Sequence, residues 1–245
     1  MALPDLVLVH GGEHAGDCWD LVVAELRSAE PELRTLAVDL PGRGRTPGDL
    51  ATATIDEWVD SVVADIEREG LGDIVIAGHS MAGVTVPGVV AKLGSARVRE
   101  MILVSAFVPR QGQAIVDTLG GPLAAFARFA ARGGRPFKVP TFAAQYAFCN
   151  GMTKQQRRLA ISRLYTESAC IPGEPVDRSG FPDDVPRNWV LTTRDRALSQ
   201  KSQRASMAAL GGVQEVINVD ACHDVMFSHP ERLAQILIDR CRLRG

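Results

Sequence analysis

Six short apolar runs, separated by segments of helical spacing, limit most tightly what this 245-residue chain can fold into. The runs begin at Leu6, Thr35, Asp73, Met101, Trp189 and Glu215, and each spans four or five residues. Between them, Trp19, Val22, Val23 and Leu26 fall on one helical face. Ile55, Trp58, Val59, Val62, Val63 and Ile66 do the same with a 3.6-residue period. A last helix is expected after Ser228-His229-Pro230, carrying Leu233, Ile236, Leu237 and Cys241. Strands that are apolar throughout must be covered on both faces, so the expected architecture is α/β: a mostly parallel six-stranded sheet with helices on both sides. The alternation fails from residue 107 to residue 187, a stretch rich in Ala, Phe, Gly and Arg. Helical patches are expected at 123–131 and 154–168. This stretch reads as an inserted, mainly helical cap, leaving 1–106 and 188–245 as the core.

Composition excludes several classes. Charged residues make up 23% of the chain and the net charge is −2, which gives no electrostatic case for nucleic acid or an anionic membrane. Met1-Ala2-Leu3-Pro4-Asp5 lacks the basic and apolar regions of a signal peptide, and no apolar stretch is long enough to span a bilayer. The five cysteines, Cys18, Cys149, Cys170, Cys222 and Cys241, are scattered and odd in number. Free thiols in a reducing compartment are expected, the cytosol by default. The histidines His10 and His14 flank a Gly-Gly loop rather than sharing a helix face, so no metal is expected there; no cofactor is expected either.

The chemistry starts at Gly78-His79-Ser80-Met81-Ala82-Gly83, which follows one of the apolar runs and precedes a helix-compatible segment from Val84 to Leu93. A serine at the tip of a strand-to-helix turn, with small residues two positions to either side, has the form of a nucleophile elbow. Such a turn strains the serine backbone and lifts its hydroxyl above the sheet edge. Ala82 stands where glycine is usual, a departure of one methyl.

An alkyl hydroxyl is a poor nucleophile at neutral pH and needs a neighbouring base. His223 follows the last expected strand, at the same end of the sheet as Ser80. Asp195 lies just beyond the preceding strand and suits the role of orienting His223; the order Ser, Asp, His is the one this strand-turn-helix arrangement requires. Asp220 and Asp224 are rivals close in sequence that would have to reach back across their own loop. Two amides must await the developing oxyanion: Met81 follows the nucleophile, and Gly12 follows the first strand. Gly11, His14, Trp19, Phe107, Phe126, Phe129 and Tyr146 are the expected lining of a substrate pocket.

With these residues in place, the chain resembles the α/β-hydrolase superfamily over essentially its full length. It is most similar to the small cap-bearing group of plant methylesterases, hydroxynitrile lyases and bacterial esterase-like proteins. His10-Gly11-Gly12-Glu13-His14 with Cys18-Trp19 resembles that group's opening loop, and Gly78-His79-Ser80-Met81 its elbow. The resemblance implies a Ser80–His223–Asp195 triad, Gly12 and Met81 as oxyanion donors, and cleavage of a small carboxylic ester through an acyl-enzyme. Hydroxynitrile lyases of the group carry lysine after the catalytic histidine and threonine after the first strand; Asp224 and Gly11 stand there instead, against cyanohydrin cleavage. Thioester or carbon–carbon bond cleavage on the same triad, and a ligand-receptor role without turnover, remain open. The expected partner is a small-molecule ester, with no nucleic acid or membrane; a homodimer is left open.

Overall fold

The computed structural model describes residues 3–119 and 135–245. The six expected strands are all present: β1 (Asp5–Val9), β2 (Thr35–Ala37), β3 (Ile74–His79), β4 (Val98–Val104), β5 (Arg187–Thr192) and β6 (Glu215–Val219). They form one sheet in the order β2-β1-β3-β4-β5-β6, and every pairing among them is parallel. Helices among the described residues are α1 (Asp20–Ala29), α2 (Ile55–Arg68), α3 (Val86–Leu93), α4 (Ile115–Thr118), α5 (Thr141–Phe148), α6 (Lys154–Ser162), α7 (Gln200–Ala209), α8 (Val225–Ser228) and α9 (Pro230–Arg242).

Two cores follow from the two faces of the sheet. Val7, Val9, Ile74, Ile76, Met101 and Leu103 point to one side, against α2, α3 and α7. The intervening Leu6, Leu8, Val75, Ala77, Ile102 and Val104 point to the other, against α1, α8 and α9. Period-two alternation thus divides strands that are apolar on every residue between two buried layers. The insertion between β4 and β5 takes part in both: Val108, Ile115 and Val176 join the first core, Cys149, Met152 and Ala160 the second.

Strand order sets the place of chemistry. The chain goes from β1 outward to β2, then returns past β1 to β3 and continues the other way. Loops leaving β1 and β3 therefore diverge, opening a crevice at the carboxyl ends of those strands. Their register pairs Val9 with Gly78, so the loop after β1 begins beside the turn after β3.

Some elements differ from expectation. Beyond β3 the chain first makes a 3₁₀ turn at Ser80–Gly83, and α3 starts only at Val86; Pro87, with no N–H to lose, suits that first turn. Helix α6 ends at Ser162 rather than Ser168 because other partners take the following amides: Tyr165 N–H donates to the Glu13 carbonyl and Glu167 N–H to that of Phe137. The expected patch at 123–131 lies outside the described residues. All five cysteines are free, and among the described residues no helix is long and apolar enough to cross a membrane.

Candidate active site

Ser80 sits at the tip of the β3 turn with φ of +52°, a left-handed conformation that a serine adopts only under constraint. Two close approaches supply the constraint. A Cβ on Gly78 would come within 2.6 Å of Val86 Cγ2 and 3.1 Å of Ala82 Cβ. A Cβ on Gly11 would lie 2.8 Å from Ser80 Cβ and 2.9 Å from the His79 carbonyl. The Ala82 methyl is accommodated because Gly78 opposite it has no side chain.

The Ser80 hydroxyl lies 2.8 Å from His223 Nε2, and His223 Nδ1 lies 2.7 Å from Asp195 Oδ2. Asp195 is itself held: Oδ2 accepts from the Thr192 hydroxyl at 3.0 Å, and Oδ1 from the Ala197 and Leu198 amides at 2.8 and 2.7 Å. Burial alone would lower the His223 pKa, but the charge and hydrogen bond of Asp195, with the charge of Asp224, outweigh it and raise the pKa above the ordinary value. The His223 carbonyl is pinned from behind by His79 Nε2–H at 3.0 Å and the Ser105 hydroxyl at 3.4 Å. Asp220 turns outward to an exposed pair with Arg194, and Asp224 faces His14 on the far side. The neighbouring strand end, not the histidine's own loop, delivers the carboxylate.

The loop after β1 approaches the same hydroxyl. His10 Nδ1–H donates to the Gly11 carbonyl at 2.8 Å while its Nε2 accepts from the Leu40 amide at 3.1 Å. Burial holds that imidazole neutral, with a pKa lowered to about 3. In a trans peptide the N–H points opposite to the C=O. Fixing the Gly11 carbonyl toward His10 therefore turns the Gly12 N–H the other way.

Gly12, Met81, Ser80 and His223 share the wall of a cavity of about 740 Å³. Its remaining surface is largely apolar, with Ile115, Leu119, Val139 and Phe148 among the contributors. His14, Phe107 and Tyr146 line it as expected. Trp19 does not: it is fully buried in the second core, its ring edge-on to His79. Gly11 does not either, because it lies beneath the elbow rather than facing the cavity. Phe126 and Phe129 lie outside the described residues. Phe142 lines the cavity and is 77% exposed, as Tyr146 is at 65%, so both stand at its rim.

Three charged residues here, Glu13, Glu167 and Arg43, make contacts that no sequence spacing signals. Glu13 and Glu167 both line the cavity. Glu167 accepts the Glu13 amide at 2.7 Å and pairs with the buried guanidinium of Arg43. The Glu13 side chain accepts the Val139 amide. Burial, with the nearby Glu167 charge, pushes the Glu13 carboxyl up to about 7. Glu13 stood in the opening loop motif, but its partners come from residues 139 and 167, which no local spacing connects. One nitrogen each of His14 and His79 and a carboxylate oxygen of Asp224 lie within 4.8 Å of one another.

A family model described as "Alpha/beta hydrolase family" matches residues 6–236. This chain belongs to the alpha/beta hydrolase family. Among relatives of this alpha/beta hydrolase, a carbendazim hydrolyzing esterase of Nocardioides sp. is 30% identical over 118 residues, 48% of each chain. A pyrethroid hydrolase of Sphingobium wenxiniae is 25% identical over 98% of this chain and 88% of its own. In structure, an extracellular alpha/beta-hydrolase from a Paenibacillus species superposes with a TM-score of 0.86 at 21% identity. That match covers 96% of this chain and 98% of the other.

Proposed function

We propose that this protein is a serine hydrolase that cleaves a small, largely apolar carboxylic ester through an acyl-enzyme. One observation carries the reading: a strained serine hydroxyl 2.8 Å from an imidazole whose other nitrogen is 2.7 Å from a buried carboxylate. His223 takes the Ser80 proton as the oxygen attacks the ester carbonyl. Asp195 fixes the tautomer and stabilises the imidazolium. The Gly12 and Met81 amides receive the oxyanion, and His223 returns its proton to the departing alcohol. Water then repeats the sequence on the acyl-enzyme. The insertion of residues 107–187 serves as a cap that supplies most of the apolar wall, leaving 1–106 and 188–245 as the catalytic core.

The names of the relatives, an esterase and a hydrolase, support the bond type, and the largely apolar cavity supports an acyl or alcohol group with little charge. An aryl-ester panel together with a fluorophosphonate probe tests the reading. Turnover and stoichiometric labelling at Ser80, both lost in Ser80→Ala, are expected. Folded protein that takes no label would overturn it. A panel of matched thioesters separates oxygen-ester from thioester cleavage.

A further inference from the structure

Behind the proposed triad lies a second acid–imidazole contact. His14 Nε2 is 3.4 Å from Asp224 Oδ2, with the side chains 2% and 1% exposed. His14 follows the oxyanion loop directly, and Asp224 follows His223. The pair therefore bridges the segments that carry the hole and the base.

Counting donors assigns its charge. His14 Nδ1 is 2.9 Å from the Gly12 carbonyl, which can only accept, so Nδ1 carries a proton. Both Asp224 oxygens lack a hydrogen-bond partner, and so does His14 Nε2. A neutral ring would aim a lone pair at a buried carboxylate. His79 cannot relieve this, since its one proton goes to the His223 carbonyl and its Nδ1 is an unpartnered acceptor. We infer that His14 is held as an imidazolium that ties the Gly12 loop to the His223 loop, with Asp224 as its fixed counter-charge; both are positioning residues.

The surroundings agree. His14 is faced by Asp224, His79, Glu13 and His10, and its ring lies beside that of Phe227 at 6.0 Å. Burial works against a charged ring, yet the Asp224 charge at 3.4 Å raises the His14 pKa; reciprocally the His14 charge holds the Asp224 carboxyl low. Near His223, Asp224 raises the pKa and His14 lowers it. The pair thus fixes geometry while its two effects on the base oppose one another.

Nitrogen-15 NMR of the histidine rings in the whole protein is the direct test. One ring protonated on both nitrogens at pH 8 is expected, its signals absent in His14→Gln and losing the second proton in Asp224→Asn. A His14 ring with a single proton at pH 8 would overturn the inference. So would His14 signals that move on adding zinc or a chelator, because a metal ion would then occupy the proton's place. The kinetic consequence rests on the hydrolase reading: Asp224→Asn should lower kcat by at least about tenfold with little change in KM. His14→Gln combined with Asp224→Asn, which restores a neutral hydrogen-bonding pair, should recover part of that loss. If Ser80 takes no label while the His14 cation is present, the hydrolase reading fails and the brace stands.

Discussion

His223 and Asp195 meet across the ends of two adjacent strands, with Nδ1 and Oδ2 2.7 Å apart. The carboxylate is positioned by four donors, three of which come from its own segment: the Thr192 hydroxyl and the Ala197 and Leu198 amides. An amide at this position could keep most of that frame while favouring the wrong imidazole tautomer. Asp195→Asn should therefore leave the fold and KM nearly intact and lower kcat by about 10³–10⁴-fold. Equal losses in kcat and thermal stability would instead mean that Asp195 acts structurally.

The same contact fixes a pH dependence. In the proposed mechanism His223 must be neutral to accept the Ser80 proton, and its pKa is raised above the ordinary 6.5. Activity should thus fall as pH drops through a value above 6.5, with kcat/KM flat on the alkaline side of that limb. Residual activity of Asp195→Asn should show the limb at lower pH, because the raising charge is gone. A limb unmoved by that substitution would assign it to another group.

Much of this arrangement is legible in the sequence. Ser80, His223, Asp195, Gly12 and Met81 all lie within about four residues of a strand end, and the parallel order carries such positions to one edge. Local pattern was enough to expect them as neighbours. What the sequence left hidden was direction. Trp19 and Gly11 follow β1 as Gly12 does, yet one turns into the second core and the other lies under the elbow. The Glu167 carboxylate reaches the Glu13 amide only because the backbone after α6 is captured by Phe137 and Glu13, contacts separated by more than a hundred positions in one case. No periodicity encodes such a meeting.

Gly11 and Gly12 are adjacent glycines with different tolerances. A methyl on Gly11 would press on Ser80 Cβ at 2.8 Å, whereas on Gly12 it would meet Glu167 Oε2 at 3.2 Å and Met81 Cε at 3.4 Å. The first displaces the elbow; the second asks only small movements of side-chain ends. Gly11→Ala should lower kcat/KM by about a hundredfold or more, and Gly12→Ala by clearly less, in parallel assays on folded protein. The reverse order would place the strain elsewhere than beneath Ser80.

Glu13 offers a stability test independent of turnover. Its carboxyl, raised to about 7, binds a proton in the folded state over a range where the unfolded chain has released it. Between about pH 4.5 and 7 this group makes stability fall as pH rises. Glu13→Gln keeps an oxygen for the Val139 amide and removes the charge facing Glu167. Melting temperature should be higher than in the parent at pH 8, with the gap closing toward pH 5. A gap that is constant across this range would show that ionisation of Glu13 contributes nothing.

At the opposite end of β4, Glu100 is fully buried and accepts from Arg240 Nε at 2.7 Å, Arg244 Nε at 2.5 Å and Asn188 Nδ2 at 2.6 Å. It joins α9 to the middle of the sheet. Glu215 also reaches Arg240, at 2.6 Å, but from a half-exposed side chain. Removing the buried partner leaves guanidinium charge facing a site without its anion, at a cost of about 3–5 kcal/mol. Removing the exposed one costs below about 1 kcal/mol, because water replaces it. Glu100→Gln should lower the melting temperature by roughly 10 °C and Glu215→Gln by a few degrees at most. Both should retain the parent's kcat at 25 °C while folded, since neither lies near the carboxyl ends of the strands. Similar losses for the two variants would mean that this ion pair is as solvated at Glu100 as at its outer edge.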